Sequence, residues 1–129
     1  MRDINKKIIA LIPARSGSER IKNKNIKILG TLPLIAHTIR SAIKSKIFDK
    51  IIVSTDSKKY ASLSKKFGAD IPFLRPKNIS KSNSPDYQWV NFTIQKLLKD
   101  ENIQYTHFFI LRPTSPFRTS KTIIRAWNL

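Results

Sequence analysis

Within the segment IIALIPARSGSERIKNKNI, residues 8–26, the cations Arg15, Arg20, Lys22 and Lys24 crowd around Gly17, which stands between Ser16 and Ser18. A loop with one small residue can turn several backbone N–H groups toward a single point and cradle an anion there. Gly17 is expected to supply the permissive dihedral, and Ser16 and Ser18 to add hydroxyl donors. Arg15 and Arg20 offer forked, permanently charged donors and Lys24 a point charge, a set matched to a polyphosphate. No Gly-Lys-Ser/Thr follows, so this is not a P-loop, and a single glycine excludes the three-glycine dinucleotide fingerprint. The competing reading of the same residues is an exposed basic loop with helix-capping serines.

Little else in the chain is suited to bond-making. Cysteine is absent, which excludes thiolate metal sites and disulfides. The 8 carboxylates include no Asp-x-Asp pair. Hard cations want several carboxylate oxygens. Only Asp56 follows a strand on the expected ligand side, where capping a helix is its competing role. His37 falls on a helix and reads as structural.

The elements that must position the loop follow from periodicity. Residues 8–12 are a continuous apolar run, the pattern of a strand buried on both faces of a parallel sheet. Pro33 opens a helix whose inward positions are Leu34, Ile35, Thr38, Ile39, Ala42 and Ile43. Residues 51–54 form a second buried strand, after which Asp56 or Ser57 caps a helix with the stripe Tyr60, Leu63, Ser64 and Phe67, ended by Gly68. A short strand is expected over 71–74, then a polar loop over 77–83. Ser84-Pro85-Asp86 has the form of a helix start, with serine as cap, proline in the first turn and a carboxylate at the positive dipole end. Val90, Ile94, Leu97 and Leu98 mark that helix's buried face. Residues 107–111 read as a strand, 112–118 as a Pro-rich loop and 119–129 as the beginning of a helix. This alternation predicts one α/β domain with a mostly parallel sheet covered on both faces. Ligands of such sheets bind beyond the carboxyl ends of the strands, where loops 13–25, 55–57 and 112–118 should meet.

Composition narrows the partners. The formal net charge of +17 admits either a nucleic-acid binder or an enzyme for anionic substrates. The cations are spread along the chain, without an aromatic-rich RNA signature or a helix-turn-helix pattern, so nucleic acid is the lesser reading. No apolar run reaches membrane-spanning length and the first residues lack a secretory core, so a soluble cytoplasmic protein without a membrane partner is expected.

Several motifs recur in order: Ile12-Pro13-Ala14-Arg15, Gly17-Ser18, Lys24-Asn25-Ile26, Val53-Ser54-Thr55-Asp56, Phe67-Gly68-Ala69, Pro72-Phe73-Leu74-Arg75-Pro76 and Pro113-Thr114-Ser115-Pro116. Together, over nearly the whole chain, they resemble the acylneuraminate cytidylyltransferases, the CMP-sialic acid synthetases and their relatives for other nonulosonic acids. The resemblance implies a Rossmann-like three-layer α/β/α sandwich of the nucleotide-diphospho-sugar transferase type. It further implies transfer of CMP from CTP to an acidic nine-carbon sugar, with release of pyrophosphate and Mg²⁺ as cofactor. Nucleotide contacts then fall on Ala14, Arg15, Gly17, Ser18, Lys24, Asn25, Arg75, Ser84 and Asp86. Arg15, Arg20 and Lys24 become the catalytic, charge-stabilising set. The sugar is met by Arg112, Thr114 and Ser115.

Three departures from the family pattern matter. Glu19 stands where many members carry Lys, and is expected to point outward while Arg20 takes the cationic duty. Arg112 replaces a common Gln and Asp86 a contacting Ser, so the two can form an ion pair, or Arg112 can meet a sugar carboxylate. This leaves the sugar acid, and the base, unspecified; a related nucleotidyltransferase using another nucleotide or a sugar 1-phosphate is the alternative. Finally, family members continue further. Residues 1–129 are therefore expected to be the amino-terminal, nucleotide-binding part of one domain. The Mg²⁺ ligands and the homodimer segment would lie in the carboxyl-terminal part, and this stretch alone would be inactive or a degenerate fragment.

Overall fold

The run Ile8–Ile12 offers no polar side chain to water, so it is stable only where both faces and both edges are covered. The computed structural model, which describes residues 5–17, 24–113 and 118–129, shows that arrangement. Strand β1 (Ile8–Pro13) is the centre of a three-stranded sheet and pairs in parallel with two neighbours. We number the other strands in chain order. Ile28–Leu29 is β2, Leu32–Pro33 is β3, Lys50–Ser54 is β4 and His107–Ile110 is β5. The sheet order is β4-β1-β5, and Ala10 lies opposite both Ile51 and Phe109.

Alternation along β1 divides the core. Ile9 and Leu11, with Ile52, pack on Trp89 and Leu97 of helix α3 (Asp86–Glu101). Ala10 and Ile12, with Val53, face three helices on the opposite side. These are α1 (Leu34–Ser45), α2 (Lys58–Lys66) and α4 (Ser120–Trp127), which contribute Ile35, Ile39, Ala42, Tyr60, Ala61 and Ile123. The result is the α/β/α layering expected. Ser57, rather than Asp56, caps α2, accepting from the Tyr60 N–H at 3.2 Å. Thr119 caps α4 in the same way.

Several expectations need correction. Residues 71–74 are not a strand. Only Asp70 bridges to Ile52, and Pro72, with no N–H to give a ladder, follows two residues later. Ser84 does not cap α3, because its hydroxyl closes a local turn by accepting from the Lys81 N–H. Pro85 occupies the cap position with no side-chain bond, and the helix begins at Asp86. Leu97 of the expected α3 face is buried and Val90 and Ile94 pack against the same core, but Leu98 is exposed, and the fully buried positions Trp89 and Thr93 were not expected. Ile43 is likewise exposed rather than inward. An antiparallel pair, β2 with β3, turns at Gly30 where only a loop was expected. His37 is structural, its ring bonded to the Leu29 carbonyl at 2.8 Å.

Gly68 ends α2 with φ +103°, and a Cβ there would meet the Ile43 Cδ1 at 2.8 Å. Gly17, in contrast, does not adopt a positive φ, and a Cβ on it would make ordinary contact with Arg15 at 3.6 Å. The permissive dihedral expected of Gly17 is therefore not a left-handed one. Gly68→Ala should lower stability by about 1–3 kcal/mol, the usual cost of a side chain held in that backbone region. Gly17→Ala should cost at most about 0.5 kcal/mol, as surface substitutions do. Urea unfolding midpoints for the two variants provide the check.

Candidate functional site

Chain segments meet beyond the carboxyl ends of the strands and enclose an open cleft of about 290 Å³. Pro13 and Arg15 line it from the end of β1, Lys24 and Asn25 from a 3-10 turn over Lys24–Ile26. Arg75, Ser82 and Ser84 form the wall beyond β4. Asp86 and Trp89 enter from the first turn of α3, and Arg112 and Pro113 from beyond β5. The loop after β1 leaves the sheet under control: the Ala14 N–H donates to the Ser54 carbonyl at 2.9 Å, and the Asn25 amide donates to the Arg15 carbonyl at 3.3 Å. Nη1 of Arg15 itself donates to the Gly17 carbonyl.

Arg75 is the unusual member. It is 5% exposed, and its hydrogen bonds go to the Ser54 hydroxyl at 3.0 Å and carbonyl at 3.1 Å, rather than to a carboxylate. Its guanidinium sits over the Trp89 ring, 5.0 Å from the centroid. Burial pulls its pKa down to about 10, opposed by the charges of Asp56 and Asp86 and reinforced by that of Arg15. It remains a cation at neutral pH, held in a place where a charge is costly without an anion.

Asp56 lies beneath the loop rather than in the cleft. Its carboxylate accepts from the Ser16 N–H at 2.9 Å, from the Ser16 hydroxyl at 3.0 Å and from Lys77 Nζ at 2.9 Å. Burial pushes its pKa up, but those bonds more than offset this and hold it below the ordinary carboxylate value. The Ser16 hydroxyl is thus spent on Asp56 and is not the ligand donor expected from sequence.

On the opposite wall, Arg112 forms an ion pair with Asp86, whose other oxygen accepts from the Trp89 indole N–H at 3.0 Å. This is the pairing that the sequence left open against a free Arg112.

Of the residues expected to form the site, Arg15, Lys24, Asn25, Arg75, Ser84, Asp86 and Arg112 converge on one cleft. Ala14 and Gly17 adjoin it without lining it. Ser18, Glu19, Arg20, Thr114 and Ser115 lie outside the described residues. Trp89 and Ser82 were not foreseen. The spacing of Asp86 and Trp89, three apart on one helix face, was the legible signal for the first. Among the described residues no three His, Asp or Glu side chains converge to hold a metal. Asp56 is filled by Ser16 and Lys77, and Asp86 by Arg112 and Trp89, so the described donors do not fit a divalent cation.

The family model described as cytidylyltransferase matches residues 9–123. An N-acylneuraminate cytidylyltransferase of Escherichia coli O18:K1:H7 is 42% identical over 95% of the chain, though the match spans 28% of that relative. A CMP-N,N'-diacetyllegionaminic acid synthase of Legionella pneumophila is 39% identical over 93% of the chain and 51% of its own length. The chain thus spans about half or less of the curated relatives it matches. Among solved structures, a CMP:2-keto-3-deoxy-manno-octonic acid synthetase complexed with CTP superposes with a TM-score of 0.75, covering 95% of this chain and 46% of its own, at 16% identity. No described helix is long and apolar enough to cross a membrane. With its sheet order, its cationic cleft beyond the strand ends and a match over residues 9–123, the chain belongs to the cytidylyltransferase family.

Proposed function

We propose that the protein transfers CMP from CTP to a nonulosonic, sialic-acid-like sugar acid and releases pyrophosphate, residues 1–129 forming the nucleotide-binding part of a single domain. The observation that carries this reading is the charge of the cleft. Arg15, Lys24, Arg75 and Arg112 line it against the single carboxylate of Asp86. An open cleft with that balance suits a polyphosphate flanked by a second anion. The names of the two relatives, for N-acylneuraminate and for N,N'-diacetyllegionaminic acid, support the sugar class.

In this reading a sugar hydroxyl oxygen bonds to the α-phosphorus of CTP as the bond to the β-phosphate oxygen breaks. The electron pair stays on pyrophosphate, and the hydroxyl proton leaves to water. The protein supplies position and opposing charge rather than a nucleophile. Arg15 and Lys24, with Arg20, hold the phosphates. Asn25 fixes the turn beneath them, and Arg75, Ser84 and Asp86 meet the nucleotide. Ala14, Gly17 and Ser18 are assigned to the nucleotide, while Arg112, Thr114 and Ser115 receive the sugar. Mg²⁺ is assigned to ligands other than the described residues. A cytoplasmic homodimer without nucleic-acid or membrane partners completes the proposal.

Two experiments test it. Arg15→Ala removes charge-assisted bonds worth about 1.5–3 kcal/mol, so calorimetry should show CTP affinity falling about 10- to 100-fold. Unchanged affinity refutes the assignment, and tight, steeply salt-dependent binding to any duplex that ignores excess CTP favours a nucleic-acid module instead. For the sugar side, Arg112→Gln in the full-length protein should raise KM for the sugar acid about tenfold while KM for CTP stays put. Equal damage to both substrates, with a melting shift matching that of Asp86→Asn, would make the Arg112–Asp86 pair purely structural.

A further inference from the structure

A buried carboxylate beside an anion site needs a reason, since its charge opposes the ligand. The side chain of Asp56 is 5% exposed, next to a cleft lined by four cations. Capping does not explain it, because Ser57 caps α2. Metal binding does not either, because no other described carboxylate, histidine or cysteine joins it in a metal-holding group and its oxygens are already occupied. What Asp56 does hold is Ser16, by both its backbone N–H and its hydroxyl, across a sequence separation of 40 residues. Ser16 lies between Arg15 and Gly17, so these two bonds fix the segment that presents the Arg15 guanidinium. With the Ala14 N–H bound to Ser54, the end of β4 grips the opening loop at alternate residues.

We propose that Asp56 is a positioning residue for nucleotide binding: through Ser16 it holds the start of the opening loop in the course that presents Arg15 to the cleft. The proposal rests on the nucleotide reading above. It accounts for a serine at position 16 whose hydroxyl faces away from the ligand. It also separates two roles of one carboxylate, since Lys77, whose side chain is 78% exposed, touches the same oxygen as the Ser16 hydroxyl yet lines no part of the cleft. Lys77 reaches the carboxylate from the solvent side and helps to balance its charge, but it does not hold the loop. The Ser16 contacts carry the function.

The test uses steady-state kinetics and melting of the full-length protein. Asp56→Asn should raise KM for CTP about tenfold or more, the cost of weakening bonds to a buried charge, and leave KM for the sugar acid within about twofold. Ser16→Ala, which removes only the hydroxyl bond, should raise KM for CTP less, and in the double variant its effect should vanish, because the two residues act as one unit. Lys77→Met should leave both KM values within about twofold. If Asp56→Asn fails to fold, the Ser16→Ala and Lys77→Met pair decides between the two contacts. The proposal is overturned if the Asp56 or Ser16 variants change melting or kcat alone, if both KM values rise together, or if Lys77→Met reproduces the CTP effect. A wild-type protein that neither binds nor uses CTP overturns the functional reading itself; wild-type CTP use with an unaffected Asp56→Asn overturns only this one.

Discussion

Residues 8–12 of strand β1 are wholly buried, with a parallel strand on each edge and a helical layer on each face, and this governs what the rest of the chain can do. Its backbone groups are satisfied inside the sheet and its side chains inside two separate cores, so nothing polar can emerge until the strand ends. Parallel pairing places the ends of β4 and β5 at the same level. The residues that follow each strand are therefore delivered to one rim whatever their identity. Arg15 and Arg112 reach this rim directly from β1 and β5, and Arg75 is brought to it by its N–H bond to the Thr55 carbonyl just beyond β4, so a cationic cleft follows from topology plus three side-chain choices.

Gathering cations at a rim has an electrostatic cost that the structure answers unevenly. Arg15, Lys24 and Arg112 are partly or fully open to water, which screens them. Arg75 is not, and burial alone draws its pKa toward the neutral form, with Arg15 pushing the same way. Three features keep it charged and in place: the Ser54 acceptors, the face of Trp89 and the nearby carboxylates. An arginine restrained in this way is preorganised, so a phosphate that pairs with it need not first order a long side chain. Trp89 links this buried cation to the outer pair, since its face meets Arg75 while its N–H holds Asp86.

The fold was readable wherever burial imposes a strict pattern. The apolar runs of β1 and β4, the stripe of α2 and the stop at Gly68 follow from side-chain chemistry within a few residues of each position, whereas the α2 cap was narrowed only to Asp56 or Ser57. Residues 71–74 misled because an apolar run beside the sheet was taken for a strand, although Pro72 breaks the ladder. Ser84 misled because two local turns compete for one hydroxyl, and the Lys81 N–H takes it. In the site, Arg15 and Lys24 were legible because four cations lie within seven residues of Gly17. The anchoring of Ser16 by Asp56 was not legible, since no local rule couples residues 40 apart. Trp89 was missed although its three-residue spacing from Asp86 placed it on the same helix face.

In the proposed reading the two sides of the cleft answer different demands, and the departures at Arg112 and Asp86 both fall on one of them. Phosphates carry the same charges in the same places whatever sugar is joined to them, so the wall built from β1 and β4 has little freedom. Arg15, Arg75 and Asp56 are fixed by bonds to backbone and to one another's neighbours, and their spacing matches the family's motifs. A sugar acid differs from its relatives in shape and in the position of polar groups, and its recognition needs side chains that can be exchanged. In the proposed reading Arg112 would meet that need from the wall built from α3 and β5, where it is paired with Asp86, both partly exposed, and Asp86 is also held by Trp89. Exchanging an amide and a hydroxyl for an ion pair there alters reach, planarity and charge without disturbing β1 or β4. Selectivity can thus diverge at this wall while the phosphate side keeps its geometry, because no described hydrogen bond joins the Arg112–Asp86 pair to the Asp56–Ser16 anchor.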